Sequence, residues 1–270
     1  LWSVRTWQQK VLVWSVILGV GFLLLAPLAA LIMRSFVTTT SQGDLSLTFE
    51  YYKELFINRR QTFFYVPPIA ALRNSLVYGM VTVLISVTLG FAAAIALNRR
   101  GRFDRLMDAV LMLPLGTSAV TLGLGFLIVF NRPPLDLRSF PWLVPIAHSL
   151  VALPFVVRTL QPALASIPPV LRQAAAVLGA DSIRIRREID LPIAARAAAA
   201  GAVFAFTISL GEFGATSFLA RPEYPTLPIA IFRFLSQPGG LNYGQAMAMA
   251  SILMVICAAS VLLIENIELK

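Results

Sequence analysis

Few residues of this chain have the chemistry for catalysis or metal binding. The sequence holds one histidine, His148, and one cysteine, Cys257, so it cannot form an intramolecular disulfide or a cysteine-based metal cluster. A nucleotide-binding phosphate loop requires Gly-Lys followed by Ser or Thr, yet none of the lysines (Lys10, Lys53 and Lys270) follows a glycine. The Gly-x-Ser-x-Gly motif of many hydrolases is also missing from the sequence. The sequence therefore predicts a protein without a catalytic site or a cofactor.

Glu212 is the acidic residue that lies well inside an apolar run. A carboxylate within a membrane is costly unless it faces water or a partner, and Gly211 and Gly214 permit close approach of helices beside it. Two interpretations stay open: these three residues line a translocation path, or Glu212 bonds a neighbouring helix in a tight packing site. For His148, an interhelical hydrogen bond is favoured over a role as ligand.

The elements that position these residues are predicted to be membrane helices. Hydrophobic residues make up 58% of the chain and charged residues 13%, whereas a soluble domain has about 45–50% and about 25%. The apolar residues form six runs close to the roughly 20 residues that span a bilayer, and backbone groups in lipid must bond within their own segment. The fold class is therefore all-α, a polytopic membrane protein with one transmembrane domain over 1–270. The predicted spans are 11–33, 75–97, 109–130, 142–160, 194–220 and 244–264, with kinks expected at Pro27, Pro114 and Pro154.

Basic residues between the spans predict the orientation of the chain. With the N-terminus inside, thirteen of the 22 basic residues fall in inner segments and nine in outer ones. The strongest pointer is the short loop 98–106, which carries four arginines and one aspartate. Because basic residues concentrate on the cytoplasmic side, both termini are predicted to be cytoplasmic, in a multi-pass protein of the cell inner (plasma) membrane.

The polar segment 166–192, between the fourth and fifth spans, has the pattern of a helix-turn-helix elbow. Pro168 and Pro169 can open a short helix, and Gly179 can end it in the left-handed conformation. Asp181 or Ser182 can cap a second short helix. Alanines leave one side of the first helix flat, and leucines supply apolar anchors, which suits docking into a groove of a partner. These docking residues are Leu171, Ala174, Ala175, Ala176 and Leu178.

The spacing within this segment resembles a known family. Gln173-Ala174-Ala175, three residues, Gly179, nine residues and then Ile189-Asp190-Leu191-Pro192 is similar to the signature loop Glu-Ala-Ala-x3-Gly-x9-Ile-x-Leu-Pro of permeases from binding-protein-dependent ABC importers. Gln173 replaces the usual Glu, which removes a charge but keeps side-chain length and acceptor capacity. Further similar stretches lie at 113–125, 147–158 and 209–216, so the resemblance covers roughly residues 70 to 264.

The resemblance implies a type I importer fold in which 166–192 is the coupling loop that contacts a cytoplasmic ATP-binding cassette ATPase. It also implies a second permease half, as homodimer or heterodimer, and an external solute-binding protein. Because the chain begins with Leu1 rather than Met, a third arrangement stays open beside these two, in which the chain is one half of a longer fused permease. The residues that the resemblance assigns to ATPase coupling are Leu171, Gln173, Ala174, Ala175, Leu178, Gly179, Ile189, Leu191 and Pro192.

The solute is predicted from the segment 211–231, which resembles permeases for ferric iron and thiamine first, and those for sulfate and molybdate next. An ion-gradient-driven secondary transporter is the alternative function, and it would carry midplane charges and inverted repeats. Glu212 is the one residue that fits this alternative, and no repeat is evident in the sequence.

Overall fold

A computed structural model describes residues 6–39, 45–57, 67–97, 101–131 and 140–268. Three residues of the basic loop 98–106, Asn98 to Arg100, lie outside the described residues. The helices are α1 (Trp7–Phe36), α2 (Glu50–Glu54), α3 (Pro68–Leu97), α4 (Arg102–Met112), α5 (Ala119–Val129), α6 (Leu143–Ala165), α7 (Pro169–Val177), α8 (Ser182–Ile185), α9 (Leu191–Gly211), α10 (Thr216–Leu219), α11 (Leu227–Leu235) and α12 (Gly240–Glu268). The strands β1 (Val37–Thr39) and β2 (Leu45–Leu47) pair antiparallel, with Val37 opposite Leu47.

Among the described residues, five helical stretches are long and apolar enough to cross a membrane, and a bent pair of helices gives a sixth span if it is counted as one. This confirms the predicted all-α fold class but corrects the third span. In place of one helix over 109–130, α4 continues through a 3-10 turn (Leu113–Gly116) and then meets α5 at a bend of 105°. Pro114 lies in that turn, whereas Pro27 and Pro154 lie inside the unbroken helices α1 and α6.

The fifth span is also corrected. It was predicted to cover 194–220, but α9 ends at Gly211, and a separate short helix, α10, follows it. At the other end the helix begins earlier, because α8, a π-helical turn (Arg186–Asp190) and α9 form one stretch over Ser182–Gly211. The second short helix predicted for the elbow is therefore the N-terminal end of the fifth span rather than a separate element.

The chain divides into two compact units. The described residues of 1–57 and 231–252 form the first. In this unit the ring of Phe36 stacks on Tyr52 with centroids 5.0 Å apart, and the Tyr52 hydroxyl hydrogen-bonds the Ser35 hydroxyl at 2.8 Å. Tyr51 is buried, and its ring lies against Gly244. The prediction of one domain over 1–270 stays a prediction.

The described residues of 58–230 and 253–270 form the second unit, whose core is the packing of α3, α6 and α9. Small side chains let these helices approach closely, as is common between membrane helices. Polar groups on α3 also bind residues at and just before the start of α11: Asn74 Nδ2 donates to Pro225 O at 3.1 Å, and Leu227 N donates to Ser75 Oγ at 2.7 Å. The buried core residues are Ala94, Ala152, Val156, Leu160, Leu164, Ile167, Ala194 and Ala205.

Candidate functional site: an elbow helix and a broken span

The elbow helix α7 forms where the sequence predicts it. Pro168 is its N-cap and Pro169 its first residue, a position at which a missing amide hydrogen costs no helical bond. At the other end Gly179 has φ +85°, Ala180 N donates to Ala175 O at 3.0 Å, and Gly179 N donates to Ala176 O at 3.0 Å. This pair of bonds is the Schellman motif, which closes the helix and redirects the chain.

Asp181 then begins the long helix of the fifth span. Its Oδ1 accepts a hydrogen bond from Arg184 N at 2.8 Å, so Asp181 is the N-cap and Ser182 is the first helical residue. The predicted turn between two helices is thus confirmed, with Gly179 and Ala180 at its centre.

One side of α7 is an exposed apolar surface. Val177 and Leu178 are 88% and 87% exposed, and Val170 and Leu171 are exposed as well. Ala174 lies between them at helical spacing and is also exposed. We call these five residues the α7 apolar face.

The other side of α7 points back to the protein through Arg172 and Ala175, which are both half-buried. Ala175, predicted to contact a partner, therefore lies on the inward side of α7. Gln173 lies on the outward side and is exposed.

Arg172 connects α7 to both neighbouring spans. Its Nε donates to Asp190 Oδ1 at 2.8 Å, and its Nη2 donates to Leu164 O at 3.3 Å. Asp190 is 5% exposed. Neither Arg172 nor Asp190 was singled out from the sequence. A signal was present, because Asp190 is a carboxylate within the otherwise apolar Ile189-Asp190-Leu191-Pro192.

The last part of the signature lies at the start of α9. Ile189 is half-buried and packs against the core of α3, α6 and α9. Leu191 and Pro192 are exposed. The structure therefore gathers the predicted coupling residues at one end of α6, α7 and α9, with the α7 apolar face as their most exposed part.

The second candidate site is the turn that follows α9, residues 211–216. Glu212 is half-buried and has left the helix, with ψ 113°. Its Oε1 accepts a hydrogen bond from Ala215 N at 2.8 Å, and its carbonyl oxygen accepts one from Thr216 Oγ1 at 2.9 Å. These bonds lie within the turn, whereas the packing interpretation placed a bond to a neighbouring helix. Whether the carboxylate lines a path stays a prediction.

His148 anchors this turn to α6 and α9. It is 1% exposed; Nδ1 lies 2.8 Å from Ser209 Oγ and Nε2 lies 2.7 Å from Thr216 Oγ1. Because the Thr216 hydroxyl donates to Glu212 O, it must accept from Nε2, so the ring carries its proton there and Nδ1 accepts from Ser209. Thr82 on α3 lies 3.2 Å from Ser209 Oγ and extends the chain of bonds. The predicted interhelical hydrogen bond of His148 is confirmed.

Close backbone contact holds the same turn against α5. A Cβ added to Gly123 would lie 2.6 Å from Ala215 Cα, and one added to Gly214 would lie 3.1 Å from Val120 N. Gly211 has no such neighbour, since nothing lies within 4 Å of its Cβ position. The predicted path residues Gly211, Glu212 and Gly214 thus belong to one turn, which packs where the third span is broken.

Comparison with known proteins identifies the chain's family. Residues 86–270 match the model of the binding-protein-dependent transport system inner membrane component family. The sulfate transport system permease protein CysT of Salmonella typhimurium is 31% identical over 264 residues, which cover 93% of this chain and 88% of CysT. The spermidine/putrescine transport system permease protein PotC of Escherichia coli is 29% identical over 193 residues, or 71% of each chain.

The fold matches solved transporters too. A chain in the crystal structure of a bacterial alginate ABC transporter, in complex with an alginate pentasaccharide-bound periplasmic protein, aligns with a TM-score of 0.72 at 20% identity and covers 96% of this chain and 94% of that one. The match confirms the type I importer fold. With the signature spacing, the family match and the fold match agreeing, the chain belongs to the family of inner-membrane components of binding-protein-dependent transport systems and is a permease subunit of an ABC importer.

Proposed function

We propose that α7 is the docking element for a separate ATP-binding cassette ATPase, and that this ATPase supplies the energy for solute import. The observation that supports the proposal is the α7 apolar face, since apolar side chains at helical spacing on an exposed short helix suit a partner's groove. The chain's own sequence holds no phosphate loop, so ATP hydrolysis falls to the partner. A second permease half and an external solute-binding protein complete the proposed assembly.

The proposed solute is a small oxyanion of the sulfate class. A relative that aligns with 93% of this chain is a sulfate permease, whereas the polyamine permease aligns with 71% of it. Iron and thiamine, which the segment 211–231 predicts first, are not the solutes of these relatives. Sulfate, molybdate, ferric iron, thiamine and spermidine are therefore the solutes to compare in one uptake assay.

Docking is tested with two alanines of α7 that differ mainly in direction. Ala174 and Ala176 are both exposed and lie two residues apart, roughly 200° around the helix axis. Ala174→Trp places a large ring on the α7 apolar face, and Ala176→Trp places the ring on a different side of the helix, away from that face. We expect Ala174→Trp to lower the amount of co-purifying ATPase roughly tenfold, equivalent to about 1.4 kcal/mol, and Ala176→Trp to leave it largely unchanged.

Membrane-inserted amounts of both variants serve as the control, because neither substitution touches a buried side chain. Uptake into vesicles should require ATP and fall in parallel with the bound ATPase. Equal ATPase recovery for the wild type and Ala174→Trp would refute docking through this face.

A further inference from the structure

Arg172 and Asp190 form an ion pair between α7 and the start of the fifth span. They are 18 residues apart in the chain, and the turn at Gly179 lies between them. Because Arg172 also donates to Leu164 O, a single side chain in the first turns of α7 joins the ends of α6 and α9. Leu164 belongs to the buried core of these helices.

The surroundings of this pair differ from those of the other ion pair in the elbow. Arg184 and Glu188 are 3.0 Å apart with side chains 65% and 58% exposed, so solvent weakens their attraction. Asp190 is 5% exposed and depends on its partner to compensate for lost hydration. Arg172 is 30% exposed, so the pair is partly buried, is screened less by solvent and is the firmer connection of the two.

Stiffness matters because the chain connections of α7 lie at its two ends, and apart from the ion pair its inward side offers the small side chain of Ala175. The chain enters through Pro168 and leaves through the left-handed turn at Gly179. A helix held only by its ends could tilt when a partner displaces it. The flexible turns at its ends would then absorb the displacement before it reached α6 and α9. Bonds from Arg172, within α7, to the ends of both spans favour motion of α7, α6 and α9 together as a rigid body.

We propose that the Arg172–Asp190 pair is the mechanical link that transmits displacement of α7 to the transmembrane helices α6 and α9, with Arg172 as the positioning residue. The inference rests on the proposed docking of an ATPase to α7. It assigns the inward side of the helix to transmission and leaves docking to the α7 apolar face.

The test uses the full-length permease with its co-purifying ATPase in vesicles, and compares Arg172→Gln, Asp190→Asn and the double variant. We expect the ATPase to co-purify with all three, ATP hydrolysis to continue, and solute uptake per ATP to fall roughly tenfold, a change of about 1.4 kcal/mol in the coupled step. Arg184→Gln with Glu188→Gln is the matched control and should retain wild-type coupling.

The double variant separates transmission from folding. Each single variant leaves one group of the pair without its partner, whereas the double variant removes both charges and should recover thermal stability. Transmission predicts that uptake per ATP stays low in the double variant although stability returns. Recovery of uptake together with stability would overturn the proposal, and so would loss of ATPase binding in the three variants. Should a single variant fail to reach the membrane, the double variant still decides the question.

Failure of the proposed function gives a different result. In that case no ATPase co-purifies with the wild-type chain, and the Arg172 variants give the same result as the wild type. If the wild type binds its ATPase and the double variant has wild-type uptake per ATP, the proposal that an ATPase docks on α7 is kept. The proposal that the Arg172–Asp190 pair transmits its motion is then refuted.

Discussion

At position 212, charge and hydrogen bonding can be separated by substitution. The Glu212 Oε1 accepts from Ala215 N within the turn, and a glutamine carbonyl can take over that bond without the charge. We expect Glu212→Gln to keep the thermal stability of the protein but to change uptake or solute preference by roughly tenfold, about 1.4 kcal/mol. Uptake of the five candidate solutes and thermal unfolding in detergent measure the two effects.

Glu212→Ala is the matched comparison, because it removes the charge and the hydrogen bond together. It should lower stability by about 1 kcal/mol as well as alter uptake. If Glu212→Gln transports every solute as the wild type does, the carboxylate does not line the path and serves the turn alone.

The hydrogen-bond partners of a side chain could be predicted from the sequence only where few polar groups lie within its reach. His148, a polar side chain in an apolar run, had to find hydroxyl groups on other helices, and it does so at Ser209 and Thr216. Arg172 and Asp190 were missed because arginines are common in inner segments and 18 residues separate the pair. Their pairing depends on the turn at Gly179, which brings α7 back towards the span.

Among the elements, the third span shows what hydropathy cannot predict. Residues 109–130 are apolar almost throughout, so their composition is the same for a straight helix and for a bent pair. The bend follows from local chemistry: Pro114 lies in the 3-10 turn, and Ser118 in an extended conformation precedes α5. The break brings α5 into contact with the turn that carries Glu212.

Two glycines of α5 test this contact. A side chain at Gly123 would meet the backbone of Ala215, which cannot rotate away, whereas nothing lies within 4 Å of the Cβ position of Gly125. We expect Gly123→Val to destabilise the protein by about 1–3 kcal/mol through overpacking, as measured by thermal unfolding in detergent.

Gly125→Val carries the same change in helix propensity without the clash, so it should cost well under about 1 kcal/mol. The difference between the two variants reports the contact alone. Equal destabilisation would mean that the turn after α9 does not pack on α5.

For the whole molecule, six apolar runs and one spaced motif were enough to predict the class of protein. The thickness of the bilayer sets the length of the apolar run in each span. The number of spans can therefore be counted from the apolar runs in the sequence. The ends of spans are set by tertiary contacts, as at Gly211, where the helix stops inside an apolar run. Solute identity, by contrast, has no such signal in the length or the spacing of the apolar runs.

Orientation is the remaining whole-molecule prediction, and it decides whether α7 can meet a cytoplasmic ATPase. Leu178 on the α7 apolar face should be inside, and Tyr224, exposed between α10 and α11, should be outside. In a Cys257→Ser background, we expect a membrane-impermeant maleimide to label Tyr224→Cys in intact cells with an accessible outer face, and Leu178→Cys only after the membrane is permeabilised. Both positions are exposed side chains, so a difference in labelling reports sidedness rather than burial. Labelling of Leu178→Cys from the outside would place the coupling loop on the wrong face of the membrane, and docking and transmission through α7 would both be ruled out.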